Sequence, residues 1–580
     1  MPSQLPSKCF LLLSLLLLSL LAIGKSSHAL EIELLGVNTE LENNLRAHLS
    51  KLTKQKCDKQ QTRTDFNKIL WHEDIHRAAQ ALGYYQLEFQ ANWYKQTCWK
   101  LKLDIKPGPR TQIKDINISL LGPGESDLNL KKIRHELVIQ EGQALNHQSY
   151  ERSKKQIFRY LQNKGYWHSR WLKSQLKIDK EQNLAFIELE LYTGDVSTFG
   201  DAIFPNVGLD SVLLERLIDL PYGSRYSKSE LDKAYERLQS TPYFSSVWLQ
   251  PLFNSDTKTD TEVELSLASK YQLSAGIGFS SDQGPRVSGR LEDNYFNSHG
   301  HSWKLDATWS EDVSEVNLNY RVPLKKPASQ WLDNQFGFYR EQTDSYNSKT
   351  YSIGLRYVEE LNELWNWFAA SNFQHDIYQL EGDLERSFSD LFIPSIGANL
   401  LILDSPSWTR QGIRIETELL GSTDKLLSDT EFIQLKLNGK AILPIGTRNR
   451  LISRGQLGVT GKEEFNELPP SIRFYTGGDN SVRGYAYNSI GEVDENGNVQ
   501  GGSHLVVGSL EFDTRFIGSW SAATFFDVGS AFDHSADFKR GLGVGLRWHS
   551  PVGPVRFDLA RPLDDNNNEY AFHFSIGADL

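Results

Sequence analysis

From Tyr271 to the end of the chain, apolar and polar residues alternate with a period of two. Tyr271, Leu273, Ala275, Ile277 and Phe279 open the pattern, Trp303, Leu305, Ala307 and Trp309 repeat it, and Tyr570, Phe572, Phe574 and Ile576 close it. A period of two gives a strand one apolar and one polar face. About 310 residues of such alternation exceed a single sandwich and fit a transmembrane antiparallel β-barrel of about 16 strands, at roughly 19 residues per strand with its loop. The faces opposite the apolar ones carry charge, as at Glu511, Asp513 and Arg515. That predicts a wet lumen inside an apolar wall.

Ahead of the barrel the pattern is mixed and repeats. Ala81-Leu82-Gly83-Tyr84-Tyr85, Asn163-Lys164-Gly165-Tyr166-Trp167 and Ser240-Thr241-Pro242-Tyr243-Phe244 are one phrase written three times, about eighty residues apart. Each phrase ends an amphipathic helix. Ile75, Ala78, Ala79 and Leu82 fall on one face at helical spacing, as do Leu231, Ala234, Tyr235 and Leu238. Alternating segments follow each helix and one precedes it, so each unit reads strand, helix, helix, strand, strand. This is a small α+β domain with two helices on one face of its sheet. The expected boundaries are 30–107, 108–194 and 195–269, with the barrel at 270–580. Sheets of this size keep an open edge, which suits the addition of an extended peptide.

The first 29 residues have another purpose. Lys8 precedes a leucine-rich run, Phe10–Ile23, and Ser27-His28-Ala29 supplies small residues for cleavage after Ala29. The run is too short for a comfortable membrane span and reads as a secretory signal peptide. Export agrees with a barrel in the outer membrane of a Gram-negative-type envelope and small domains in the periplasm, because closed barrels pair every backbone group without helices.

Composition narrows the functions. Lys+Arg 62 against Asp+Glu 73 gives a net charge of −11, and no basic block accompanies it, which argues against nucleic-acid binding. The 14 Trp, 23 Tyr and 29 Phe exclude a disordered chain. Cys57 and Cys98 remain after cleavage, and in an oxidising compartment they are expected to form a disulfide. His72-Glu73-Asp74-Ile75-His76 matches the H-E-x-x-H zinc pattern, but no third ligand follows on a second helix, so no metal is assigned. Neither a phosphate-binding loop nor a nucleophile elbow occurs, and no cofactor or catalysis is expected.

The chain's most distinctive element lies between two late strands, Arg473-Phe474-Tyr475-Thr476-Gly477-Gly478-Asp479-Asn480-Ser481-Val482-Arg483-Gly484-Tyr485. This segment resembles the late extracellular loop of the Omp85 superfamily, whose Val-Arg-Gly-Tyr/Phe element folds back into the barrel, and the three preceding units resemble its POTRA domains. Three units and the ending Arg547-Trp548-His549-Ser550-Pro551-Val552-Gly553-Pro554-Val555-Arg556-Phe557-Asp558 are most similar to the TamA branch, the outer-membrane side of the translocation and assembly module. The resemblance implies that Arg473, Gly477, Gly478, Val482, Arg483, Gly484 and Tyr485 form the inward motif. It also implies that Arg483 meets an Asp-x-Gly wall element, here Asp527 and Gly529. Glu511, Asp513 and Asp558 compete as partners by their inward parity.

The resemblance further implies assembly of outer-membrane protein clients such as autotransporters, within outer-membrane lipids. A TamB-like protein anchored in the inner membrane is the expected partner of the periplasmic units. The first and last strands are expected to form an openable seam at Tyr271, Gly276, Gly278, Phe574, Ile576 and Gly577. Three alternatives stay open: lipid passage between membranes with such a partner; two-partner secretion, whose transporters carry two POTRA units and a plugging helix; and, resting on His72 and His76 alone, a zinc metalloenzyme.

Overall fold

The structure, a computed structural model, describes residues 30–54, 71–95, 99–133, 136–253, 257–405, 409–462, 464–550, 553–565 and 569–576. The leader, Cys57, Cys98 and Gly577 lie outside the described residues. The first of two compact units runs to Asp201 and takes in Pro221–Glu230 and Pro251–Asp260; the second comprises Ala202–Leu220, Leu231–Gln250 and Thr261–Leu580.

Three small sheets precede the barrel. In the first, Glu31–Leu35 pairs parallel with Trp99–Lys106, which pairs antiparallel with Glu88–Lys95. The helices Thr39–His48 and Trp71–Ala81 cover it. Asn38 caps the first helix by accepting the Leu41 N–H, with Glu40 and Glu42 in the first turn and Arg46 in the last, as the helix dipole favours. Leu41, Leu45, Ile75 and Ala78 bury against Leu101 and Leu103. Gln112–Leu121, Leu184–Tyr192 and Arg170–Asp179 repeat that order in the second sheet, and Thr198–Ile203, Lys258–Leu267 and Phe244–Leu252 in the third.

The repeated phrase sits where one element group hands over to the next. The Gly83 carbonyl accepts the Thr111 N–H at 2.9 Å, and the Arg110 guanidinium lies 5.6 Å from the Tyr84 ring. The backbone bond recurs, with an arginine from a different segment on the ring: the Gly165 carbonyl accepts the Ser197 N–H at 2.9 Å, and Arg225, beyond the next helix, lies 4.9 Å from the Tyr166 ring. Gly165 has φ +83°, and a Cβ there would stand 2.9 Å from the Cβ of Tyr226. In the third phrase Tyr243 donates its hydroxyl proton to the Gly300 carbonyl at 2.7 Å. Burial pushes that hydroxyl up to about 12.

His72 stacks on Trp71 at 3.5 Å between ring centroids, and His72 and His76 both lie against Phe89. Burial, and then the neighbouring His76, lowers the His72 imidazole below its ordinary value. Glu73 pairs with Arg77 at 2.7 Å. These contacts give the H-E-x-x-H helix a packing role.

The barrel is closed by sixteen strands, from Tyr271–Ser280 to Ala571–Ile576. Neighbouring strands follow chain order, with a small hairpin, Glu492–Val493 and Val499–Gly501, carried inside the long segment after Asn449–Lys462. The alternation is realised as predicted. In Trp520–Phe532, Ala523, Phe525, Asp527 and Ala531 are buried inward while Phe526 faces out. Ile277, Val287, Trp309, Phe388, Ile433 and Phe572 are among the exposed apolar residues distributed around the wall. Such a surface is stable in lipid and not in water.

Candidate functional site

Residues 464–503 leave the wall after Asn449–Lys462 and rejoin it at His504–Ile517. The segment is tied internally first. Arg473 is buried, donating to the carbonyls of Leu468 at 2.7 Å, Gln500 at 3.0 Å and Asn466 at 3.1 Å, and lying over the Phe465 ring. Three main-chain carbonyls from both limbs of the loop therefore meet on one guanidinium. Gly477 donates its N–H to Ser481 Oγ at 2.9 Å, which folds the turn that presents Val482 and Arg483.

Arg483 is 2% exposed and makes the main contact with the wall. Its Nε and Nη2 donate to the two oxygens of Asp527 at 2.7 and 3.0 Å, a bidentate pair, and its backbone N–H adds a third bond at 3.2 Å. Nη1 donates to Glu511 at 2.8 Å and to Asp558 at 3.2 Å. The guanidinium lies 3.4 Å from the Phe525 ring centroid. Arg547 spans the same two acids, 3.0 Å from Glu511 and 2.5 Å from Asp558, while Ser509 donates to Asp527 at 2.6 Å. Burying so many charges is tolerable only because each finds an opposite charge and hydrogen bonds. Asp513 is not a partner of Arg483; it accepts from Arg450 at 2.8 Å.

Two wall glycines give the loop its space. A Cβ on Gly529 would lie 2.7 Å from Val482 Cγ2, and one on Gly541 would lie 2.0 Å from the Arg483 carbonyl oxygen. Tyr485 accepts the Asp564 N–H at 3.3 Å, and Tyr487 donates to Glu341 at 2.9 Å on the far side of the barrel. Around Glu511 and Asp513, 8% and 1% exposed, the lumen is filled by protein where alternation alone predicted water.

The loop also reaches the seam. Asp479 Oδ1 accepts from Ser281 Oγ at 2.8 Å, in the turn after the first strand, and contacts His573 Nδ1 at 2.5 Å on the last. The Asp479 N–H donates to Asp282 at 2.7 Å, and the Gly484 N–H to His573 Nε2 at 2.9 Å. Of the seam itself, Ser280 lies opposite Ser575, Ser281 N–H donates to the Phe574 carbonyl at 3.0 Å, and Phe279 packs on Phe574. Tyr271 is exposed at the strand's start, and Gly276 and Gly278 face Ser288 and Arg286 of the next strand.

Sequence reasoning missed Arg547, Ser509, Gly541 and the Asp282–Asp479–His573 group. Arg547 and Ser509 share the inward parity of their strands with Glu511 and Asp558, a signal that was available. The last group becomes visible only once the loop's path is known.

A closed sixteen-strand barrel with an apolar exterior, small α+β units before it and a loop ion-paired to its inner wall defines an outer-membrane barrel of the POTRA-bearing class. The chain belongs to the Omp85 superfamily: residues 294–580 match the Omp85 superfamily domain, 31–107 the POTRA domain of TamA, domain 1, and 111–190 a POTRA domain described as a surface antigen variable number repeat. Its barrel lies in the outer membrane and its POTRA domains in the periplasm.

The chain is 25% identical over 395 residues to outer membrane protein assembly factor BamA of Nitratidesulfovibrio vulgaris, covering 63% of this chain and 49% of that one. It is 23% identical over 463 residues to BamA of Neisseria meningitidis, covering 67% and 56%. It thus spans about half the length of the curated relatives it matches. The crystal structure of BamA from Haemophilus ducreyi lacking POTRA domains 1–3 shares the fold, with a TM-score of 0.69 at 20% identity over 80% of this chain and 99% of that one.

Proposed function

We propose that this protein is an assembly and translocation factor for outer-membrane proteins, autotransporters among its clients, and that it works through the junction of its first and last barrel strands. The observation that carries the reading is that one residue of the docked loop holds both sides of that junction: Asp479 accepts from Ser281, in the turn after the first strand, and contacts His573 on the last. A strand edge freed at a junction held in this way offers backbone donors and acceptors to an incoming client strand, with little demand on client sequence.

The named relatives, called outer membrane protein assembly factors, support the same class of activity. The match of residues 31–107 to the first POTRA domain of TamA supports a TamB-like, inner-membrane-anchored partner bound through the periplasmic units. The test is reconstitution of the full chain in vesicles with an unfolded autotransporter barrel. Client insertion above that of empty vesicles is the expected result; ion conductance without insertion would sink the reading.

A further inference from the structure

Among the described residues, Asp479 is a carboxylate that touches both sides of the seam. Its Oδ1 already takes Ser281 Oγ–H and His573 Nδ1, and its backbone N–H is given to Asp282. Among the described residues its Oδ2 is buried with no hydrogen-bond partner, on a side chain 6% exposed. A buried carboxylate oxygen left without a donor is costly. Asp282 stands beside it, and one ligand atom from each of Asp282, Asp479 and His573 lies within 4.8 Å of the others.

A cation could offset the two carboxylates, but the histidine is set against it. Its Nε2 accepts the Gly484 N–H, so the ring proton is on Nδ1 and points at Asp479. The trio is thus a hydrogen-bond chain lacking one donor, and the group able to supply it is Asp282 in its protonated form.

We propose that Asp282 and Asp479 share one proton when the loop is seated, and that this proton latches loop and seam together, so that alkaline conditions release both. The proton sits on Asp282 and is donated to Asp479, while Asp479 holds His573 and Ser281. When it leaves, two carboxylates face each other and the loop is repelled from the first hairpin. Burial, and then the charge of Asp479, pushes the Asp282 carboxyl up to about 7. Other ionisable groups around the same polar cavity are Arg286 on the second strand, Arg556 on the strand before the last, and Tyr475 and Tyr487 on the loop.

The sign follows from linkage. With the loop away, Asp282 returns to the ordinary aspartate value of about 3.9, so the seated state binds the extra proton. Closure is therefore strongest near the lower value and weakens as pH rises through about 7. Between about pH 6 and about pH 8.5 the open-to-closed ratio rises about tenfold.

The proposal deepens the seam reading above, and its test reads conformation, so that failure of client insertion leaves it standing. Spin labels at Ile277→Cys and Phe572→Cys, both on the outer face, are placed in the full chain with Cys57 and Cys98 replaced by serine. Their distance distribution in lipid nanodiscs is measured across that pH range. The expected result is an open population that grows about tenfold in the otherwise native chain and stays at its low-pH level in Asp282→Asn, whose amide donates at every pH. Infrared spectra supply a second reading, a protonated carboxylic acid band at low pH that Asp282→Asn lacks. An unchanged distance distribution, the same pH response in Asp282→Asn, or a response to chelator in place of pH would overturn the proposal.

Discussion

Val482 occupies the space that any side chain on Gly529 would need, since a Cβ there would stand 2.7 Å from Val482 Cγ2. The Asp-x-Gly element of the wall is thus a socket in two parts: Asp527 receives the charge of Arg483, and Gly529 leaves room for the residue before it. Gly529→Ala should loosen the docked loop by about 1–3 kcal/mol, the usual cost of overpacking. Faster proteolysis within residues 464–503 is the expected readout. Gly508→Ala, whose Cβ would meet Val528 at an ordinary 3.6 Å, should leave the cleavage rate unchanged.

Removing the guanidinium is a harsher change. Arg483→Ala strips Asp527 of its bidentate partner and leaves Glu511 and Asp558 to Arg547. Breaking a buried pair from one side costs about 3–5 kcal/mol. A lower thermal midpoint and a protease-sensitive loop are expected. Arg483→Lys should recover only part, because an ammonium cannot bridge both Asp527 oxygens. Wild-type behaviour of the alanine variant would dismiss the docking role.

Ser280 and Ser575 face each other across the seam. A Ser280→Cys/Ser575→Cys disulfide should stop client insertion when oxidised and restore it on reduction, with barrel folding unchanged on heat-shift gels. Full insertion by the oxidised form would show that clients do not use this junction.

Gly165 carries φ +83° and abuts Tyr226, so Gly165→Ala pays for both backbone strain and contact, about 1–3 kcal/mol. Hydrogen exchange should quicken at Ser197, whose N–H it holds. Gly142→Ala, with φ +81° but nothing within 4 Å, should show the smaller, conformational part alone.

The barrel was legible because period-two alternation is imposed at nearly every wall position by the contrast between lipid and lumen. The small α+β units were legible because a phrase written three times exposes their period. Asp527 was singled out by resemblance, but Glu511, Asp513 and Asp558 share its inward parity, and parity cannot tell which acid a loop will meet. Three of the four converge on Arg483, and Asp513, farther along its strand, is held by Arg450. The protein-filled part of the lumen around Glu511 and Asp513 was hidden for a related reason: composition reports charge, not what covers it. The seam register was illegible because glycine and serine, small on either face, do not specify pairing.

The joints at Tyr84 and Tyr166 have a consequence for how such a chain grows. Each is built from the end of one unit's helix, a glycine and a tyrosine, and from an arginine and a backbone N–H further along. Only the backbone part is common to both: a glycine carbonyl takes one N–H from the start of the following unit. The arginine comes from beside that N–H in the first joint and from well beyond it in the second, so a copied unit brings the backbone bond with it and leaves the ring contact to be supplied by whichever segment follows.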